Sequence, residues 1–361
     1  MKNFFLIVIA IVVALFASEG LVRAFYPQQM TGSIKALSSM GYAMNRSDGV
    51  IACQQGTQHS VHYHFYPPGL RGTKMDPNVT HILALGDSVT FGWLLSFHDT
   101  YVYQLQQSLD QHFGKNKYQL LNAGSGNWGL AEFLGYLRQY GARTNPKYVL
   151  VFLDSDDVGR AVALDIFRTK NNNSYDIVDH FHPFPHARLK NFLDKNNWYN
   201  YLLEHSQLFQ LIRNVFVHMQ ANARDNQVFM DAHQHLHHPW PVFQRNHPYS
   251  AEQLKDAVAL GNALFYQINM WCKAHHAKLL VVTTGYNAFY KPNSSDPTEA
   301  FLKQAPTFFS AQHISFYDIA PQFKKAVGTK PFQLPADGHP NAFGAKTIAN
   351  LVEPWLISRV M

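Results

Sequence analysis

The chain has 361 residues, 47% of them hydrophobic and 14% aromatic, enough for one large domain or two small ones around a substantial core. Its formal charge of +6, with 20 histidines uncounted, is spread along the chain without a Lys/Arg block, which argues weakly for anionic surfaces and against nucleic acid as a partner. Two distant cysteines, Cys53 and Cys272, supply neither a disulfide framework nor a CxxC metal pair; a single bridge stays open.

In chain order, Lys2 precedes an unbroken apolar run from Phe4 to Ala17, the mark of an export segment. Apolar character continues past Glu19 and Arg23 to Phe25, and Ser18-Glu19-Gly20 offers a small-x-small cleavage site. A cleaved signal and an uncleaved anchor over residues 1–26 both stay open, and either places the rest of the chain outside the cytoplasm. Residues 27–77 are rich in turn formers and lack a clear period, so they read as a connector that wraps the following domain.

From residue 78 onward, short apolar runs alternate with helical patterns. Strands are expected at Val79–Leu85, Tyr118–Asn122, Tyr148–Leu153, Lys278–Thr284 and Ile314–Tyr317. Helices are expected near 100–113, 129–141, 251–275, 297–311 and 342–356, with Ser250 and Gln253 forming a capping box at the start of the third. Five strands alternating with helices imply a parallel sheet covered on both faces. Region 160–250 breaks the alternation. It holds an apolar stripe over 198–220 and half of the histidines, and it reads as a cap-like insertion within a domain spanning 78–361.

Ligands of such sheets bind beyond the carboxyl ends of the strands, and the loops there carry the chemistry. Gly86-Asp87-Ser88 follows the first strand, "NAGSGNWG" (122–129) the second and "LDSDDVGR" (153–160) the third, while "DGHPNAFG" (337–344) precedes the last helix. A hydrolytic serine needs a base, an acid that orients the base, and donors for the oxyanion. Ser88 is the candidate nucleophile and His339 the base. Asp337 lies two residues before His339, so in extended backbone both side chains point the same way. The backbone N–H groups of Ser88 and Gly126 are the candidate oxyanion donors, glycine letting backbone come close. Read singly, Asp87-Ser88 is also a helix cap, and Asp337–Asn341 a turn that caps the last helix. Trp93 and Trp128 flank the site as cleft walls or as core. The histidines at 180, 182, 186 and 233–238 read as solvated loops in preference to a metal site.

In this order, the four loop segments resemble the SGNH (GDSL-like) hydrolase family from about residue 79 to the C-terminus, the inserted region aside. The resemblance implies a three-layer α/β/α sandwich with a central parallel five-stranded sheet, flavodoxin-like, and no cofactor. It implies Ser88 as nucleophile, Gly126 as oxyanion donor, and His339 as base with Asp337 behind it. The anchor followed by "LRGTKMDPNVTHILALGDSVTFGW" is similar to exported, membrane-anchored bacterial members, whose partners would be an ester-bearing carbohydrate or lipid and the membrane itself. Two departures stand out. The place of the Asn side chain in the family's third motif holds Asp156, followed by Asp157; a carboxylate there repels an oxyanion unless protonated, and Asn127 is the other candidate for the amide. Many members also place the acid three residues before the histidine, which here is Ala336, while others use Asp-x-His as this chain does. The expected function is a serine esterase acting on acyl or acetyl esters. Its rivals are an O-acyltransferase acting on an extracytoplasmic glycan and a binding or assembly protein on a decayed hydrolase fold.

Overall fold

In a computed structural model, the chain is described over residues 2–361 except 29, 31, 33, 48, 56–58, 171–174, 181–186, 195, 217–218, 220–248, 290–295 and 336. A 24-residue apolar helix, Lys2–Phe25, comes first. Strands β1 (Lys35–Leu37) and β2 (Ala43–Asn45) form a small antiparallel hairpin. Then come β3 (Val50–Gln55), β4 (His59–Tyr66), β5 (Leu70–Arg71), β6 (Thr80–Leu85), β7 (Tyr118–Asn122) and β8 (Pro146–Leu153). A second hairpin pairs β9 (Phe167–Thr169) with β10 (Ile177–Asp179), and β11 (Lys278–Thr283) and β12 (Ser315–Tyr317) complete the set.

The main sheet has eight strands in the order β12-β11-β8-β6-β7-β5-β4-β3. Its five expected strands, β6, β7, β8, β11 and β12, pair in parallel. Numbered by their own succession they lie 2-1-3-4-5, the flavodoxin-like order. The other three strands, β3–β5, are antiparallel and extend the sheet beyond β7. They come from the segment expected to be a connector. The reason lies in β4, where Val61, Tyr63 and Phe65 face inward while His62 and His64 face solvent. This is a period of two, written with aromatics and histidines in place of aliphatics.

Alternation along the buried strands fills both faces. Leu83, Leu85, Val149, Val151 and Val281 pack under helices Leu130–Tyr136, Asp157–Leu164, Ala251–Ala274 and Pro297–Ala311. Ile82, Ala84, Leu150, Phe152 and Val282 pack under helices Tyr101–Phe113, Ala320–Val327 and Ala342–Val360. Helix Asp157–Leu164, whose Val158 and Ala161 are buried in the first core, belongs to the sheet's cover. The departure from the alternating pattern therefore begins after it, with the β9–β10 hairpin and helices Ala187–Asp194, Asn197–His205 and 207–216. Most of that region's histidines, including 233–238, lie outside the described residues.

Candidate active site

The loop after β6 turns sharply into a one-turn helix, Ser88–Phe91. Asp87 is its N-cap, with Oδ1 accepting the Val89 N–H at 2.8 Å. The capping task therefore falls to Asp87, and the Ser88 hydroxyl stays available. It donates to His339 Nε2 at 2.8 Å, although the two residues are 251 positions apart. Behind the imidazole, Nδ1–H donates to Asp337 Oδ1 at 2.5 Å, which assigns the ring proton to Nδ1. Burial raises the Asp337 pKa, but the His339 bond and charge, with the Trp93 indole, outweigh it and hold the carboxyl below its ordinary value. Trp93 lies beside the imidazole, ring centroids 6.3 Å apart.

The loop carrying Asp337 and His339 is closed by its own backbone. Leu334 N–H donates to His339 O at 2.7 Å, and Asn341 Nδ2 donates to Pro331 O at 2.9 Å. Asn341 also caps helix Ala342–Val360 by accepting the Gly344 N–H at 2.9 Å. The capping and catalytic readings of this stretch thus fall on different residues of one turn.

The second loop meets the first through glycine. A Cβ on Gly124 would lie 2.6 Å from Phe91 N, so no larger residue fits between the two loops. Ser125 N–H donates to Gly86 O at 3.0 Å, and Asn122 Nδ2 donates to Thr90 O at 3.0 Å. This pairing sets Gly126 against the nucleophile. A Cβ built on Gly126 would stand 3.8 Å from Ser88 Cβ and 3.7 Å from Lys35 Nζ.

Lys35 lies on β1, outside every sequence motif. Its Nζ donates to Ser125 Oγ at 2.5 Å and to Gly126 O at 2.9 Å. Asn45, on β2, accepts from Ser125 Oγ at 2.8 Å and donates to Gly124 O at 2.8 Å. Trp128 Nε1 donates to Ala43 O at 2.6 Å. The β1–β2 hairpin is therefore the scaffold on which the second loop rests.

Asn127 is exposed, in left-handed backbone at φ 61°. Asp156 occupies the N-cap position of helix Asp157–Leu164, with Oδ2 3.4 Å from Arg160 Nη2. Among the described residues neither side chain hydrogen-bonds Ser88.

Arg160 ties three loops together. Nη1 donates to Asp87 Oδ2 at 2.9 Å and to Trp128 O at 2.9 Å. It also lies 3.8 Å from Asp157 Oδ1. Two buried carboxyls, Asp87 and Asp157, thus share one guanidinium with half-buried Asp156, and buried Asp154 feels its charge. Burial, then the Asp87 charge, raises the pKa of both Asp154 and Asp157, against the pull of Arg160. Asp157 Oδ2 accepts the Asp154 N–H at 2.8 Å. On the far side of the nucleophile turn, Arg71 of β5 is buried 4.7 Å from the ring centroids of both Tyr63 and Phe91. It donates to the carbonyls of Phe91, Gly92 and Leu95. The added strands therefore hold the end of the Ser88 helix.

The site lies where the carboxyl ends of β6, β7 and β8 meet, at the point where strand order reverses. A hydroxyl bonded to an imidazole that is bonded to a carboxylate is a relay for removing the serine proton during attack on a carbonyl. Among the described residues no group of three or more His, Cys, Asp or Glu is placed to hold a metal ion. His180 instead pairs with Asp165, 2.9 Å away. Lys35 and Arg160 escape sequence reasoning. Lys35 is a lone lysine in a segment without period, whereas Arg160, four residues after Asp156, carried a helical-spacing signal.

No family model and no curated protein matches the chain. Solved structures similar to it include TesA, at 15% identity and TM-score 0.40, covering 77% of this chain and 98% of that one. The psychrotrophic esterase EstA from Pseudoalteromonas sp. is similar at 13% identity and TM-score 0.42, covering 78% and 98%. Axe2, an acetylxylan esterase from Geobacillus stearothermophilus, is similar at 13% identity and TM-score 0.41, covering 75% and 91%. Likeness at this level leaves the assignment to the strand order itself: this chain is an α/β protein with a flavodoxin-like, mainly parallel sheet covered by helices on both faces.

Proposed function

We propose that the chain is an exported serine esterase of the SGNH type, tethered by its N-terminal helix, with Ser88, His339 and Asp337 as its triad. One observation carries this reading: the unbroken hydrogen-bonded line from Ser88 Oγ through His339 to Asp337. Ser88 attacks an ester carbonyl as His339 Nε2 takes its proton. The Ser88 and Gly126 N–H groups donate to the oxyanion, each worth about 3 kcal/mol in the transition state. His339 then gives the proton to the departing alkoxide, and water repeats the sequence on the acyl-enzyme. Asp337 fixes the ring tautomer throughout. Asn127, exposed beside Gly126, and Asp156, whose Oδ2 lies 3.4 Å from Arg160 Nη2, remain the side-chain candidates for a further donor in the oxyanion hole. Lys35 takes up the support of that hole by holding Gly126 O and Ser125 Oγ.

The substrate class is an acyl or acetyl ester of a carbohydrate or lipid, a reading carried by the motif resemblance and the apolar N-terminal helix. The test is covalent. A fluorophosphonate probe should label the full chain in detergent, and short-chain aryl esters should turn over. Ser88→Ala should abolish labelling and cut turnover about 10⁴-fold or more. A wild type that neither reacts with the probe nor turns over ester would remove the enzyme reading. Product analysis with an acceptor sugar present separates hydrolysis from acyl transfer.

A further inference from the structure

Helices Asn197–His205 and 207–216 carry their polar and apolar residues the wrong way round for water. In the second, Gln207 and Gln210 are 8% and 0% exposed, while Ile212, Val215 and Phe216 are 58%, 51% and 62% exposed. Together with Met219, at 65%, these apolar residues stand at i, i+3, i+4 and i+7 and make one outward face. The first helix keeps Leu203 buried but also turns two large rings, Trp198 and Tyr201, outward. The inward polar groups are bonded. Gln210 Nε2 donates to Leu203 O at 2.8 Å, Asn214 Nδ2 donates to Gln28 Oε1 at 3.1 Å, and Gln207 Oε1 accepts the Gln28 N–H.

The same helices are tied to the apolar N-terminal helix. The Glu19 carboxylate accepts from Ser206 Oγ at 2.8 Å and from the N–H groups of Gln207 and Leu208 at 2.9 Å each, so it caps helix 207–216. Arg23 donates to His205 O at 3.0 Å. The span Asn3–Phe25 reaches a mean hydropathy of 2.7, with none of that apolar stretch buried. Its uncharged apolar run, Phe4 to Ala17, rises only about 21 Å, short of a hydrocarbon core of about 30 Å.

We propose that helices Asn197–His205 and 207–216 form a collar that lies in the lipid–water interface around the end of a retained N-terminal helix, with Ile212, Val215 and Phe216 in the acyl-chain boundary. Sinking such a face by about 5–10 Å makes up the missing length of the span. Trp198 and Tyr201 then sit at headgroup level, where amphipathic rings concentrate. A bilayer, and not a second copy of the chain, is the occupant because the face continues directly from a helix that is apolar on every side from Phe4 to Ala17. Retention follows from the same contacts: cleavage at Ser18-Glu19-Gly20 would cut or remove the Glu19 cap.

The test uses the full chain in phosphatidylcholine–phosphatidylglycerol vesicles, with nitroxide labels at Ile212→Cys or Phe216→Cys. Cys53→Ser removes one native thiol. Cys272 is buried, and burial pushes its thiol pKa up to about 12, so it stays unlabelled. The expected result is that both labels are several-fold more accessible to oxygen than to a water-soluble nickel chelate. A label at Lys303→Cys, on the exposed side of helix Pro297–Ala311, should show the reverse. Protein recovered from membranes should begin before Glu19. Nickel accessibility at 212 and 216 equal to that at 303, spin–spin broadening between copies, or an N-terminus at or beyond Glu19 would each overturn the proposal.

Discussion

Replacing Glu132 by glutamine isolates the effect of a buried carboxyl on stability. Glu132 is 3% exposed, and its Oε2 accepts the Gly129 N–H at 3.0 Å. Burial lifts its pKa from the ordinary 4.5 to about 7, against the Gly129 bond and the charges of Arg160 and Lys35. Below pH 4.5 the group is protonated whether the chain is folded or not. Between 4.5 and 7 the unfolded chain releases the proton while the folded chain keeps it, so stability falls through that window and is level above it. At 1.36 kcal/mol per pH unit, the loss approaches about 3 kcal/mol. Glutamine keeps the oxygen that caps Gly129 and has no proton to lose. Glu132→Gln should therefore match the wild type near pH 5 and exceed it at pH 8, by a few degrees in Tm. Tryptophan-fluorescence melts of the full chain in detergent at both pH values provide the assay. If the Tm difference between the two proteins is the same at pH 5 and pH 8, Glu132 titrates like an exposed acid and the burial argument is wrong.

Lys35→Met should lower kcat/KM on an aryl ester about tenfold to a hundredfold, because the oxyanion loop loses the bonds that hold Gly126 in place. An unchanged value would separate the hairpin from the chemistry. Arg160→Met strips the partner from buried Asp87 and should cost about 3–5 kcal/mol in denaturant unfolding. Gly126→Ala should fold normally, its new methyl meeting only ordinary contacts at 3.7 and 3.8 Å, yet lose activity by crowding the substrate oxygen. Gly124→Ala, whose Cβ would press on Phe91 N at 2.6 Å, should instead appear as a loss of soluble protein and a lower Tm.

The parallel core was legible because β6, β8 and β11 are buried on both faces and therefore read as continuous apolar runs between glycine-bearing turns. The hydrogen-bonded line from Ser88 through His339 to Asp337 was legible for a related reason. Strand ends bring Asp87-Ser88 and the glycines of 124–126 to one edge, and Asp337-x-His339 stands just ahead of a capped helix. Strand β4 was missed, and its partners β3 and β5 with it, because its inward Val61, Tyr63 and Phe65 stand between histidines and a turn-rich composition masked that period. Lys35 was hidden more deeply, since its role comes from where a hairpin docks and not from any local pattern. Motif position marked Asp156, but its pairing with Arg160 one helical turn on, Oδ2 to Nη2 at 3.4 Å, is a contact the motif does not spell out. The outward stripe of helix 207–216 has a sequence signature indistinguishable from that of a core helix. Only the glutamines beneath it reveal which side is dry.

His339 reaches Ser88 on the turn that opens helix Ala342–Val360, and that helix is held to the sheet by Ile348, Val352 and Leu356 and by the Tyr118 and Tyr148 hydroxyls on Val360 O. Everything else around the nucleophile is fastened to other parts of the fold. If the chain is the esterase proposed above, loosening this one helix would leave the Ser88 turn intact but its hydroxyl unactivated, a dormant enzyme with nearly all of its sheet. Heat or denaturant should therefore silence the protein before it melts, and reseating a single helix should be enough to wake it.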